Sequence, residues 1–162
     1  VFTFRCTRKL LARLKVAPTA APTAPTTVLG DWYCNLLFLR PQHLVLLVSE
    51  RRFLPVLVPA KDLPTLAPHF RLALSDVLRS LGVPEPQLKT EDAQMKFSAF
   101  AKTASPQVLG VMTDLGKEIE YWSGSKTLLE LALHVAETPC SPLPRFNSPH
   151  QETIAAFAAA RQ

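Results

Sequence analysis

Three cysteines and four histidines carry most of the latent chemistry in this sequence. A thiol acts as a nucleophile when a base takes its proton and a third group orients that base. Cys6 is the candidate for that role: it ends the alternating stretch Phe2-Thr3-Phe4-Arg5-Cys6, just before a helix start at Thr7. A helix N-terminus and the cations Arg5, Arg8 and Lys9 would all favour its thiolate. The alternative is a small apolar residue packed between strand and helix. Cys34, in a strand, and Cys140, in a proline-rich tail, lack that setting. His43, His69, His134 and His150 never stand three or four residues from one another. No spacing suggests converging ligands, so the expectation is no metal and no cofactor.

The carboxylates form no evident acid–base pair. Asp31 can pair with Arg5, Arg40 or a cap donor, and the neighbouring strands offer only Glu50 as a second acid. Asp114 and Glu118 stand four apart beside Lys117 and read as a solvated helix face. No phosphate-binding glycine loop and no serine nucleophile elbow occurs. An anion or small ligand has one candidate site, the helix start at Thr103 and Ser105, with Trp32 lining the same pocket. In the competing arrangement Trp32 fills the core and Tyr33 points to water.

These residues must be positioned by elements that the pattern of apolar residues outlines. "FTFRC" reads as a strand and "RKLLARLK" as a short helix with Thr7 as its cap. Residues 16–29, rich in Pro, Ala and Thr, read as an extended surface connector. Residues 32–58 contain three apolar runs with short links, the pattern of an antiparallel meander. The second run is apolar on both faces, which suits a covered position, and Pro55 confines the third to an edge or a bulge. Leu63, Leu66, Phe70, Leu74, Val77 and Leu81 then recur at helical steps over "KDLPTLAPHFRLALSDVLRSLG". A short helix over "PEPQLKTEDAQ", a strand over "MKFSAFAK" with a phase break before Phe100, and a helix capped by Ser105 follow. Gly110 and Gly116 inside that helix suggest a close approach by a neighbour. "KTLLELALHVAE" is a further helix, and residues 138–162 form an irregular tail ending in a weak helix anchored by Ile154 and Phe157.

The chain has 162 residues, 48% hydrophobic and 19% charged, with 15 prolines and 5 glycines. That suits one domain with a sizeable core, α+β in class, with an antiparallel or mixed sheet of about four to five strands under three to five helices. No apolar run reaches membrane-spanning length, and the first residues do not read as a signal peptide. Widely spaced cysteines, odd in number, suit free thiols in a reducing cytoplasm.

Net charge is +5, divided unevenly: residues 1–80 hold 11 Lys or Arg against 4 acids, and residues 81–162 hold 7 against 9. The basic half suggests a nucleic-acid surface through Arg5, Arg8, Lys9, Arg13, Arg40, Arg51 and Arg52, or ordinary solubilising charge.

Three segments, "RCTRKL" at 5–10, "GDWYCNLL" at 30–37 and "VLGVM" at 108–112, stand together in order and spacing. With them the chain resembles, over residues 2–138, a bacterial family of small proteins classed as a domain of unknown function. Val111 departs from the small polar residue that family carries in the helix. The resemblance implies a shared fold and bacterial origin and transfers no catalytic residue. The functional expectation is a non-catalytic binding or protein-interaction module, monomeric or a small homo-oligomer, with no membrane partner. A small enzyme with a pocket near Cys6, Trp32 and Ser105, and a nucleic-acid binder, are the alternatives.

Overall fold

The computed structural model describes residues 1–160. Strand β1 is Phe2–Cys6, followed by helix α1, Arg8–Leu14. Strands β2 (Trp32–Leu37), β3 (Leu44–Ser49) and β4 (Pro55–Pro59) come next. A 3-10 turn, Ala60–Thr65, leads into α2, Leu66–Ser80, and then α3, Glu85–Gln94. Strand β5 is Phe97–Lys102, and the chain closes with α4 (Pro106–Trp122), α5 (Leu128–Val135) and α6 (Pro149–Ala159).

The fold is α+β, with a five-stranded mixed sheet in the order β4-β3-β2-β1-β5 and, among the described residues, six α-helices. The meander β2-β3-β4 is antiparallel throughout. β1 lies between β2 and β5, parallel to both. A parallel pair needs a crossover, and α1 with the 16–29 connector supplies the one from β1 to β2. Every residue of β3 is buried, and β4, which opens on Pro55, is an edge strand. The missing proline amide costs little there, because only one side of β4 is laddered.

The two sheet faces are built differently. Phe4 is in register with Trp32 and Cys6 with Cys34, so these side chains share a face with Leu36. Phe70 of α2 covers it, its ring 4.8 Å from Trp32, 5.5 Å from Phe4 and 5.8 Å from Phe2. All six residues of the expected stripe are buried, four of them in α2, while Leu63 falls in the preceding 3-10 turn and Leu81 at the cap that ends the helix. On the other face Gly116 of α4 passes over Leu37. Phe97 and Phe100, three apart, both reach Phe4, at 5.4 and 5.8 Å. A register shift in the β1–β5 pairing, where Phe2 faces Phe97 but Thr3 faces Ala99, turns them to the same side.

Several local expectations are corrected. Thr7 sits at the cap position of α1, but its hydroxyl donates to Asn35 Oδ1 at 2.9 Å instead of capping the helix, which ties α1 to β2. The two helical glycines admit no close neighbour. A Cβ at Gly110 would meet nothing within 4 Å, and one at Gly116 would lie 3.7 Å from Leu37 Cδ2, an ordinary contact. The last helix is firmly started, with a reciprocal capping box between Ser148 and Gln151. Phe157 is buried in it, while Ile154 is 42% exposed and anchors nothing in the core. Arg161 and Gln162, the end of the expected helix, lie outside the described residues.

Candidate functional site

Cys6 and Cys34 stand side by side in β1 and β2, both buried on the sheet face that Phe70 of α2 packs on. Each thiol donates to the carbonyl two residues earlier in its own strand, Cys6 to Phe4 at 3.7 Å and Cys34 to Trp32 at 3.5 Å. The Cys34 thiol is held well above the ordinary cysteine range, by burial first and then by the adjacent Cys6. Cys140, also buried, is pushed up by burial and by the carboxylates of Asp114 and Glu118. The environments of Cys34 and Cys140 favour the thiol over the nucleophilic thiolate.

The helix-start candidates fall on the other side of the sheet from Cys6 and Trp32. Strand alternation sends Tyr33 opposite to Trp32. Tyr33 is buried, not turned to water, and its Oη accepts the Ser105 amide at 3.1 Å. Ser105 Oγ in turn accepts the Val108 amide at 3.3 Å. Two of the donors at the start of α4 are thus satisfied from within the protein, and Pro106 has none to offer. Cys6, Trp32 and Ser105 therefore share no pocket. Thr103 lines a separate cleft of about 410 Å³ between the connector and the end of β5, with Arg5, Thr19 and Lys102.

Arg5 lines that cleft and is already engaged. Its Nε lies 3.2 Å from Asp31 Oδ2, and Nη1 donates to the Lys102 carbonyl at 3.3 Å. Asp31 also accepts the Thr3 amide at 2.9 Å, so this buried carboxylate ties the entrance of β2 to β1. Gly30, just before it, has φ +80°, a conformation that glycine adopts without penalty.

The remaining cations separate by the ends of the sheet. Arg51 and Arg52 lie in the β3–β4 turn, where Arg51 Nη1 donates to the Thr27 carbonyl at 3.2 Å and Arg52 pairs with Glu152 at 3.5 Å. Arg8, Lys9 and Arg13 are on α1 and Arg40 is in the β2–β3 loop, at the opposite end of β3. All four are exposed. No group of three or more His, Cys, Asp or Glu within reach of one metal ion occurs among the described residues.

The end of α4 presents a feature that the helical pattern concealed. Trp122 completes the apolar stripe Val108, Met112, Leu115, Ile119 by spacing, yet it is 36% exposed and the preceding Tyr121 is 78% exposed. Their rings meet edge to face at 5.0 Å. His134 of α5 touches the Trp122 ring at 5.0 Å, and Lys126 Nζ stands 5.4 Å from its centroid. Tyr121, Trp122 and His134, with Glu118 and Glu137, border an open cleft of about 500 Å³. The available signal was the adjacent Tyr-Trp pair placed directly before the turn Ser123-Gly124-Ser125, where a helix stripe has no further turn to bury it.

Across residues 3–152 the chain matches the family model described as a domain of unknown function, DUF6933. The chain belongs to this family. The match takes in all five strands of the DUF6933 sheet except the first residue of β1, and the helices as far as the first turn of α6. No curated protein and no solved structure gives a significant match.

Proposed function

We propose that this DUF6933 chain is a non-catalytic protein-interaction module that docks through Tyr121 and Trp122 at the end of α4. The observation that carries the reading is the exposure of two adjacent large aromatic side chains, in edge-to-face contact, at the rim of a cleft. Trp and Tyr dominate the energetics of protein interfaces, because each buries a large area while losing little conformational freedom. Contacts from His134 and Lys126 hold the Trp122 ring in place before any partner arrives. The burial of the candidate nucleophiles Cys6 and Cys34 supports a non-catalytic role. One core running from Phe2 to Phe157 supports a single domain. Three buried free thiols favour a reducing compartment, a bacterial cytoplasm on the sequence resemblance.

The test compares the wild-type chain with the double variant Y121A/W122A. Both side chains are exposed, so the variant should fold. Affinity capture from cells of the source organism, with solution mass measured in parallel, is expected to show a defined partner or a second copy held by the wild type. The double variant should bind it roughly tenfold more weakly or worse. A strictly monomeric chain whose captured proteins are unchanged by the double substitution overturns the reading.

A further inference from the structure

Residues 1–49 contain six Lys or Arg and a single acid, Asp31. That acid is buried and is taken by Arg5. The other five, Arg8, Lys9, Arg13, Lys15 and Arg40, are exposed, and none makes an ion pair among the described residues. Elsewhere in the molecule the arginines at 52, 71 and 79 all have carboxylate partners. Arg51, Arg145 and the lysines from Lys61 to Lys126 also make no ion pair among the described residues, so what distinguishes α1 and the loop between β2 and β3 is that five unpaired cations stand there in a stretch of chain with no free acid.

An aromatic ring joins the two. Phe38, just past the end of β2, is 58% exposed. Lys9 of α1 places its Nζ 5.2 Å from the Phe38 ring centroid, and His43 of the same loop meets that ring edge-on at 5.2 Å. The hydrogen bond from Thr7 to Asn35 fixes the start of α1 against β2, so the lysine and the ring are held by elements and not by side-chain chance. Cations around an open aromatic face are what a single nucleic-acid strand requires: phosphates neutralised along the backbone and a ring on which an unpaired base stacks. A duplex reader would need an element shaped to enter a groove, and α1 buries Leu10 and shows only seven residues of helix.

We propose that α1 and the β2–β3 loop form a binding surface for single-stranded nucleic acid, with Arg8, Lys9, Arg13 and Arg40 meeting phosphates and Phe38 stacking on a base. This surface shares no residue with the Tyr121–Trp122 cleft, but the two adjoin, since Pro41 of the loop lies beside Gly124, two residues past Trp122; the double variant Y121A/W122A tells the two readings apart.

The experiment is fluorescence anisotropy with labelled twenty-nucleotide oligo(dT) and oligo(U), from 50 to 200 mM salt. Binding is expected at the low-salt end, weakening with a log–log slope of roughly −2 to −3, as three or four phosphate contacts on a single strand give. The charge reversal R8E/R40E should weaken it more than tenfold and flatten the slope. F38A should cost about fivefold or more and leave the slope unchanged, because stacking releases no counterions. Y121A/W122A should bind as the wild type does. Circular dichroism shows whether each variant is folded. Absence of binding at 50 mM salt overturns the proposal. So does an F38A variant of undiminished affinity, and so does competition by polyglutamate equal to that by oligo(dT), which would mark the surface as one for acidic protein instead.

Discussion

Glu91 is the buried side chain whose charge is least compensated. Its Oε1 accepts the Val28 amide at 2.9 Å, while Oε2 is buried without a partner. Burial raises its pKa above the ordinary carboxylate value, against the opposing pull of the Val28 and Leu29 amides. The folded state then binds its proton more tightly than the unfolded chain does. Stability on this account is greatest below the unfolded pKa and is lost as pH rises through the folded one. Glu91→Gln keeps an oxygen for Val28 and removes the charge. Thermal melts should show it more stable than the wild type at pH 8, with the gap closing as pH falls below the ordinary carboxylate range. Asp31, also buried, receives the Thr3 amide and the Arg5 guanidinium. Asp31→Ala should cost about 2–4 kcal/mol in urea unfolding, because both donors are left facing a gap. The cysteines offer a third check: with native protein at pH 7, Cys6 and Cys34 should resist iodoacetamide and react fully only after unfolding. At this scale the sequence showed which residues had chemistry but not whether it was accessible, since a thiol's reactivity depends on what covers it, and Phe70, which packs on the same sheet face, is 36 residues from Cys34 in sequence.

Elements were legible wherever their signal was local. The α2 stripe from Leu63 to Leu81, the Ser105 cap with Pro106 behind it, and the edge position imposed by Pro55 all follow from spacing or from one residue's covalent limits. Where a side chain had two possible partners, local reasoning chose wrongly: Thr7 bonds Asn35 across to β2 instead of its own helix. Gly110 was read as a point of close packing, and the structure leaves open space there. A glycine in mid-helix with room for a methyl group is pure loss of helix propensity. Gly110→Ala should therefore stabilise the chain by up to about 1 kcal/mol, measurable as a rise in the urea midpoint with an unchanged slope. A fall in stability would mean that α4 bends or packs there more tightly than its neighbours indicate.

The last helix is tied to the rest of the molecule by a few specific contacts. Phe157 is buried, Gln87 donates to its carbonyl at 2.7 Å, and Glu152 receives both Arg52 and Asn147. Phe157→Ala should cost about 3 kcal/mol, read as a lowered thermal midpoint with cooperativity retained. By itself the sequence determined the order of the elements, the meander and the apolar faces, because strand alternation, helical periodicity and proline placement act within a few residues of where they are written. It also determined that positive charge would concentrate in the first half. Only the tertiary structure decided that β1 enters between β2 and β5, that Tyr33 and Ser105 satisfy each other, and that Cys6 and Trp32 lie on the face away from them. It alone sorted the cations, leaving Arg51 and Arg52 bonded at one end of the sheet and Arg8, Lys9 and Arg40 without ion pairs at the other, with Lys9 over the Phe38 ring. Those outcomes turn on pairings between segments tens of residues apart, whose competing alternatives bury similar apolar area. Ladder register, a shared buried carboxylate and the packing of Phe70 choose among them, and each exists only once the chain has closed on itself.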